Sequence, residues 1–163
     1  MNRLEKPGSR QPGTVLIVDD EWDDLRFTQG VVEAACPQFC IRSVQSGEDL
    51  IRYLKGENGF SDRMDFPYPI LILLDLTMPA MHGFSVLLWL RNHPPHNVIP
   101  VVVLTVSGEM LVAQYAYELG ARSFLTKPLK AKEFKETMGK LDDWLKQATY
   151  NGTSLRCATG PRW

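Results

Sequence analysis

Val15-Leu16-Ile17-Val18 runs without a break into Asp19-Asp20-Glu21. A strand that is apolar at every position, rather than at every second one, is buried on both faces, and such strands belong to parallel sheets covered by helices. Ile70-Leu71-Ile72-Leu73-Leu74 and Val101-Val102-Val103-Leu104 have the same form. Ile41–Val44 and Ser123–Thr126 are weaker strands, suited to the two edges of the same sheet.

Amphipathic segments fill the intervals. A helix is expected over Glu21–Ala35, and another opens at Ser46, whose hydroxyl can cap it while Asp49 completes a capping-box pattern and Gly56 ends it. Further helices are expected at Phe84–Asn92, Gly108–Leu119 and Ala131–Gln147, the last with Phe134, Met138, Leu141 and Leu145 along one face. Strand and helix alternate five times, so right-handed crossovers give an α/β fold: an open, doubly wound, five-stranded parallel sheet with helices on both faces.

Composition narrows the function. The 163 residues carry 18 basic and 19 acidic side chains, a net charge of −1, too balanced for a chain that coats nucleic acid or anionic lipid. No apolar stretch approaches the roughly 20 residues needed to cross a bilayer, and Met1–Gly13 lacks the apolar centre of a signal peptide, so a cytoplasmic protein is expected. Cys36, Cys40 and Cys157 are an odd, scattered set without a second metal-ligand pair, which predicts reduced thiols. One domain is expected at 14–147, between flexible segments at 1–13 and 148–163; the Asn151-Gly152-Thr153 sequon, with no secretory route, is expected to be inert.

In doubly wound sheets, ligands bind beyond the carboxyl ends of the strands, where the strand order changes direction. Those ends here are Asp19-Asp20-Glu21, Asp75, Thr105 and Lys127-Pro128. Carboxylates gathered at one edge repel each other, a cost that a divalent cation removes, and hard oxygen donors in a partly open site suit Mg²⁺. Lys127 and Thr105 would add a positive charge and a hydrogen-bond donor, both suited to the oxygens of a transferring phosphoryl group. Any one of these residues alone reads as a helix cap or a solvated strand end. Four strand ends together point to phosphoryl chemistry.

Those residues carry a resemblance. Val15-Leu16-Ile17-Val18-Asp19-Asp20-Glu21, Leu73-Leu74-Asp75-Leu76-Thr77-Met78-Pro79 followed by Gly83, Val103-Leu104-Thr105 and Phe124-Leu125-Thr126-Lys127-Pro128 resemble the response-regulator receiver domains of two-component signalling, over about Thr14 to Leu145. The resemblance implies a CheY-like, flavodoxin-like sheet of strand order 2-1-3-4-5. It implies that Asp75 is the phosphoacceptor, taking its phosphoryl group from a sensor histidine kinase or a phosphotransfer protein. Asp20, Asp75 and the Thr77 backbone carbonyl would hold Mg²⁺, with Asp19 reaching it through water. Lys127 and Thr105 would contact the phosphoryl group, Thr105 and Phe124 would form the switch, and the Lys127–Pro128 bond would be cis, as is common in the family.

The chain departs from the family pattern at Val106, where a smaller residue is usual, at His82 before Gly83, and in the long connection Lys55–Pro69. His82 is expected to lie outside the pocket, and His93 and His96 to be loop residues. Phe60, Met64, Phe66 and Tyr68 in the connection either form a partner surface or, as expected, pack over the sheet edge. This extension and the Leu141-Asp142-Asp143-Trp144 ending look similar to single-domain regulators partnered with bacterial phytochromes.

The expected function is that of a phosphorelay switch without an output domain, not an enzyme beyond self-phosphorylation and autodephosphorylation. Its output would be a phosphorylation-dependent contact with a downstream protein, with a homodimer as an alternative, through a face that carries Tyr115, Tyr117 and Trp144. No nucleic-acid or membrane partner is expected, since a basic recognition helix is lacking. Two rivals stand beside it. A degenerate receiver used as a constitutive interaction module would leave Asp75 unmodified. An aspartyl-nucleophile phosphatase would need a second Asp where Thr77 stands.

Overall fold

The computed structural model describes residues 13–106 and 108–150, with side chains as far as Leu141. Along the chain lie β1 (Thr14–Val18), α1 (Trp22–Ala35), β2 (Cys40–Val44), α2 (Gly47–Lys55), β3 (Pro69–Asp75), α3 (Gly83–Asn92), a short 3-10 turn at His96–Val98, β4 (Val101–Thr105), α4 (Met110–Glu118), β5 (Ser123–Thr126) and α5 (Ala131–Tyr150). The strands form one sheet of order β2-β1-β3-β4-β5, parallel throughout. The expected fold and strand order are therefore those of the protein, and the two weaker strands are its edges.

The apolar runs divide by alternation. Leu16, Val18, Ile72, Leu74, Val101 and Val103 pack with Leu50, Tyr53 and Leu54 of α2, Val86, Leu87 and Leu90 of α3, and Ala116 of α4. Val15, Ile17, Leu71, Leu73, Val102 and Leu104 face the other way, onto Leu25 and Val32 of α1 and Phe134 and Leu141 of α5. Burying each such aliphatic side chain contributes about 1.5–3 kcal/mol, which is why these runs lie at the centre and the partly polar β2 at an edge.

Helix ends follow local chemistry. Ser46 Oγ accepts from the Asp49 amide at 3.0 Å, but the Asp49 carboxylate pairs with Arg52 instead of returning to the Ser46 amide, so only half of the capping box forms. Gly56 closes α2 at φ +73, a left-handed conformation that glycine adopts without strain. α4 starts at Met110 rather than Gly108 because Glu109 is extended, at φ −66 and ψ 126. α5 continues to Tyr150, three residues beyond Gln147.

The long connection packs inward. Tyr53, Phe60 and Phe66 form an aromatic cluster with centroids 5.1–5.9 Å apart, and Arg63 donates to the carbonyls of Tyr53, Leu54 and Phe66. The Arg63 guanidinium thus adds donors at the end of α2, where the Tyr53 carbonyl also accepts from the Gly56 amide. Met64 alone of the four apolar residues stays exposed.

His96 corrects an expectation. It is buried in the 3-10 turn, its Nδ1 shares a hydrogen bond with the Tyr68 hydroxyl, and Trp89 stacks at 5.5 Å from its ring. His93 stacks on Trp89 at 4.2 Å and donates to the Trp89 carbonyl. Cys36 and Cys40 carry free thiols. Cys157, the sequon, most of the expected terminal segments, and the side chains of Trp144 and Leu145 lie outside the described residues. Among the described residues, no helix is long and apolar enough to cross a membrane.

Candidate functional site

β1 and β3 are neighbours in the sheet, yet the chain leaves β1 toward β2 on its other side. The strand order therefore changes direction between β1 and β3, and the carboxyl ends of these two strands flank an open crevice. Asp19 and Asp20 follow β1, and Asp75 ends β3.

Gly83 fixes the loop beyond Asp75. Its amide donates to the Leu76 carbonyl at 3.1 Å, and a Cβ there would lie 2.6 Å from the Asp75 carbonyl oxygen and 2.7 Å from Leu76 Cα. Only glycine admits this close approach of two backbones. The His82 ring, on the outer side of that turn, accepts from the Phe84 amide at 3.4 Å and stacks on Phe84.

Ligand oxygens of Asp19, Asp20 and Asp75 lie within 4.8 Å of one another. Asp19 and Asp75 are buried, and Asp20 Oδ1 is buried without a hydrogen-bond partner. A buried carboxylate oxygen that nothing satisfies costs about 1–3 kcal/mol or more. Three hard anionic donors with one orphaned oxygen fit a divalent cation bound by oxygen ligands. Thr77 lies two residues past Asp75 in the following loop, its side chain exposed.

Lys127 reaches this cluster from β5. Its ammonium donates to Asp19 Oδ2 at 2.5 Å and to Asp24 Oδ2 at 2.9 Å, and lies 3.2 Å from Asp75 Oδ1. Burial alone would lower the Lys127 pKa, but the hydrogen bonds to Asp19 and Asp24 and the charges of Asp75 and Asp19 outweigh it and hold the group above the usual lysine range. Asp19 moves the other way for an acid. Its burial raises its pKa, only partly offset by Lys127 and by the Glu21 amide that donates to Oδ1 at 3.1 Å. Charged groups here are held by each other rather than by water.

Thr105 ends β4, buried beside this group, and Phe124 pairs with Val103 across the β4–β5 register. Phe124 is half-buried against the core under α2, α3 and α4, not fully exposed. The Lys127–Pro128 bond is cis. Val106 is 73% exposed, so its side chain is not packed into the protein beside Thr105. Every charged residue expected at the site is brought together.

Asp24 was not among the expected residues. It sits in the first turn of α1, where acidic side chains are ordinary, and 103 residues separate it from Lys127.

Residues 15–138 match the family model described as response regulator receiver domain. The chain is similar to response regulator Rcp1 of Synechocystis sp., with 32% identity over 142 residues that cover 86% of this chain and 95% of that protein. The structure of the Mn²⁺-bound form of Rcp1 aligns with a TM-score of 0.66 over 82% of this chain and 95% of that one, also at 32% identity. Bacteriophytochrome response regulator RtBRR aligns with a TM-score of 0.71 at 32% identity, over 79% of this chain and 77% of that one. The cyclic di-GMP phosphodiesterase response regulator RpfG of Xanthomonas campestris is 28% identical, but the match covers 78% of this chain and 31% of that much longer protein.

Proposed function

Because the chain belongs to the response regulator receiver domain family, we propose that it is a single-domain phosphorelay switch, with the receiver at about 14–147, whose phosphoacceptor is Asp75. Receivers of this family take phosphoryl groups from histidine kinases; the likeness to RtBRR supports a phytochrome-type kinase as the donor. One observation carries the proposal. The buried Asp75 carboxylate lies within 4.8 Å of two further carboxylates and 3.2 Å from Lys127 Nζ.

Asp75 offers a carboxylate oxygen to the phosphorus of the donor, and Lys127, already at its side, draws the phosphoryl oxygens in and balances their charge. Asp19, Asp20, Asp75 and the Thr77 carbonyl would hold Mg²⁺, the divalent ion that suits so small an oxygen site, which when bound supplies charge neutralisation for the transferring group. Thr105 turns its hydroxyl to a phosphoryl oxygen, and Phe124 follows into the space vacated.

That exchange alters the face formed by α4, β5 and α5, where Met110, Leu111 and Tyr117 are exposed, whereas Tyr115 packs edge-on against Phe84 of α3. A downstream protein or a second copy of the chain binds there when Asp75 is phosphorylated. No nucleic acid or membrane enters this output, and the cytoplasm is its setting. A constitutive, unphosphorylated module would not need the complete set of Asp19, Asp20, Asp75 and Lys127.

Phosphotransfer from the histidine kinases of the source organism tests the proposal. Rapid, selective transfer from one kinase to the parent protein and none to Asp75→Asn is expected. Equal transfer to both would overturn the assignment of Asp75.

A further inference from the structure

Lys127 holds three carboxylates with one ammonium, and the three are not equivalent. Asp19 is 1% exposed and Asp75 4% in their side chains, whereas Asp24 is 48% exposed. An ammonium has three protons to donate, and in the resting protein Asp19, Asp24 and Asp75 surround it. A phosphoryl oxygen that arrives on Asp75 needs one of these places. Releasing Asp19 would strand a charge that is buried away from water. Releasing Asp24 costs little, because its carboxylate borders an open cleft of about 320 Å³, lined also by Phe27, Lys127 and Pro128, where water can take over.

From this juxtaposition we propose that Asp24 is a positioning residue: it restrains Lys127 in the unphosphorylated state and gives it up to the phosphoryl group. The proposal rests on the receiver function above and names a regulator of that same site. Asp24 acts in two ways. It competes for the ammonium that must turn to the phosphoryl oxygens, and its charge repels the incoming dianion, adding to that of the Asp19, Asp20 and Asp75 cluster.

Acetyl phosphate reports on this directly. An Asp75 carboxylate oxygen bonds to phosphorus, the bond between phosphorus and the acetyl oxygen breaks, and acetate leaves with the electron pair. Asp24→Asn should raise the initial rate of this transfer by roughly two- to fivefold, the range that loss of a half-exposed ion pair spans. Asp24→Glu, which keeps the charge on a side chain that can still reach Nζ, should keep the parent rate. A merely structural role predicts the opposite sign, since loss of a scaffold contact slows the reaction.

Thermal midpoints of both variants should stay close to that of the parent. If the parent is labelled and Asp24→Asn reacts at the same rate or more slowly, or if Asp24→Glu is accelerated as much as Asp24→Asn, the restraint is refuted while the receiver function stands. If the parent takes no phosphoryl group at all, both fall together.

Discussion

The Lys127 amide donates to the Thr105 carbonyl at 2.8 Å. This bond fastens the two residues proposed to grip the phosphoryl group to one another through their backbones, one strand apart, so that either side chain can move without moving the other. Thr105→Ala keeps that bond and removes only the hydroxyl. The variant should still be labelled on Asp75, but nuclear magnetic resonance shifts on adding beryllofluoride should no longer reach Phe124 and the exposed residues of α4. Shifts of parental size at Phe124 would show that Thr105 does not drive the switch.

Asp20→Asn replaces the carboxylate whose Oδ1 is buried and unpartnered. Divalent-ion affinity should fall roughly tenfold or more, because one ligand charge is lost. The metal-free protein should be no less stable, since repulsion among the three carboxylates is relieved. Calorimetric titration with Mg²⁺ and with Mn²⁺ measures the first effect and thermal unfolding the second; parental affinity for both ions would place the metal elsewhere.

Arg63 and Met64 are adjacent yet differ in what they hold. Arg63→Ala removes the side-chain donor to the Tyr53, Leu54 and Phe66 carbonyls and should cost about 1.5–3 kcal/mol, the worth of hydrogen bonds from a charged group. Met64→Ala should cost less than about 0.5 kcal/mol, as an exposed side chain does. Urea unfolding of both variants decides whether the long connection is a capping element, and equal losses would reject that role.

His96 makes stability depend on pH. Burial, then the positive charges of His93, Arg63 and Lys55, lower its pKa below the usual histidine value. A base with a depressed folded-state pKa is penalised for protonation only when folded. Its contribution is complete above about pH 6.5, the unfolded value, and is lost as pH falls through the lower folded value. The parent should therefore lose more stability between pH 7.5 and about 5 than His96→Gln, in denaturant titrations at each pH. Parallel curves would mean that another group governs acid sensitivity.

The legible and illegible parts of this protein differ in range. β1, β3 and β4 are readable because burial on both faces leaves an unbroken apolar run, and Asp19, Asp75 and Thr105 because each stands where such a run ends, whereas Lys127 follows the weaker edge strand β5. The start of α4 was misjudged by two residues, since the backbone turn at Glu109 leaves no mark in residue type. His96 and Asp24 were hidden for a different reason. Their environments come from Tyr68, 28 residues away, and Lys127, 103 residues away, and no local pattern encodes a partner at that distance.

The central claim is that Asp75 is the phosphoacceptor, and intact mass spectrometry after incubation with acetyl phosphate and Mg²⁺ tests it most directly. The parent protein should gain the mass of one phosphoryl group, lost again on warming or on treatment with hydroxylamine, while Asp75→Asn gains none. Equal labelling of Asp75→Asn, or no labelling of the parent under these conditions, would contradict it.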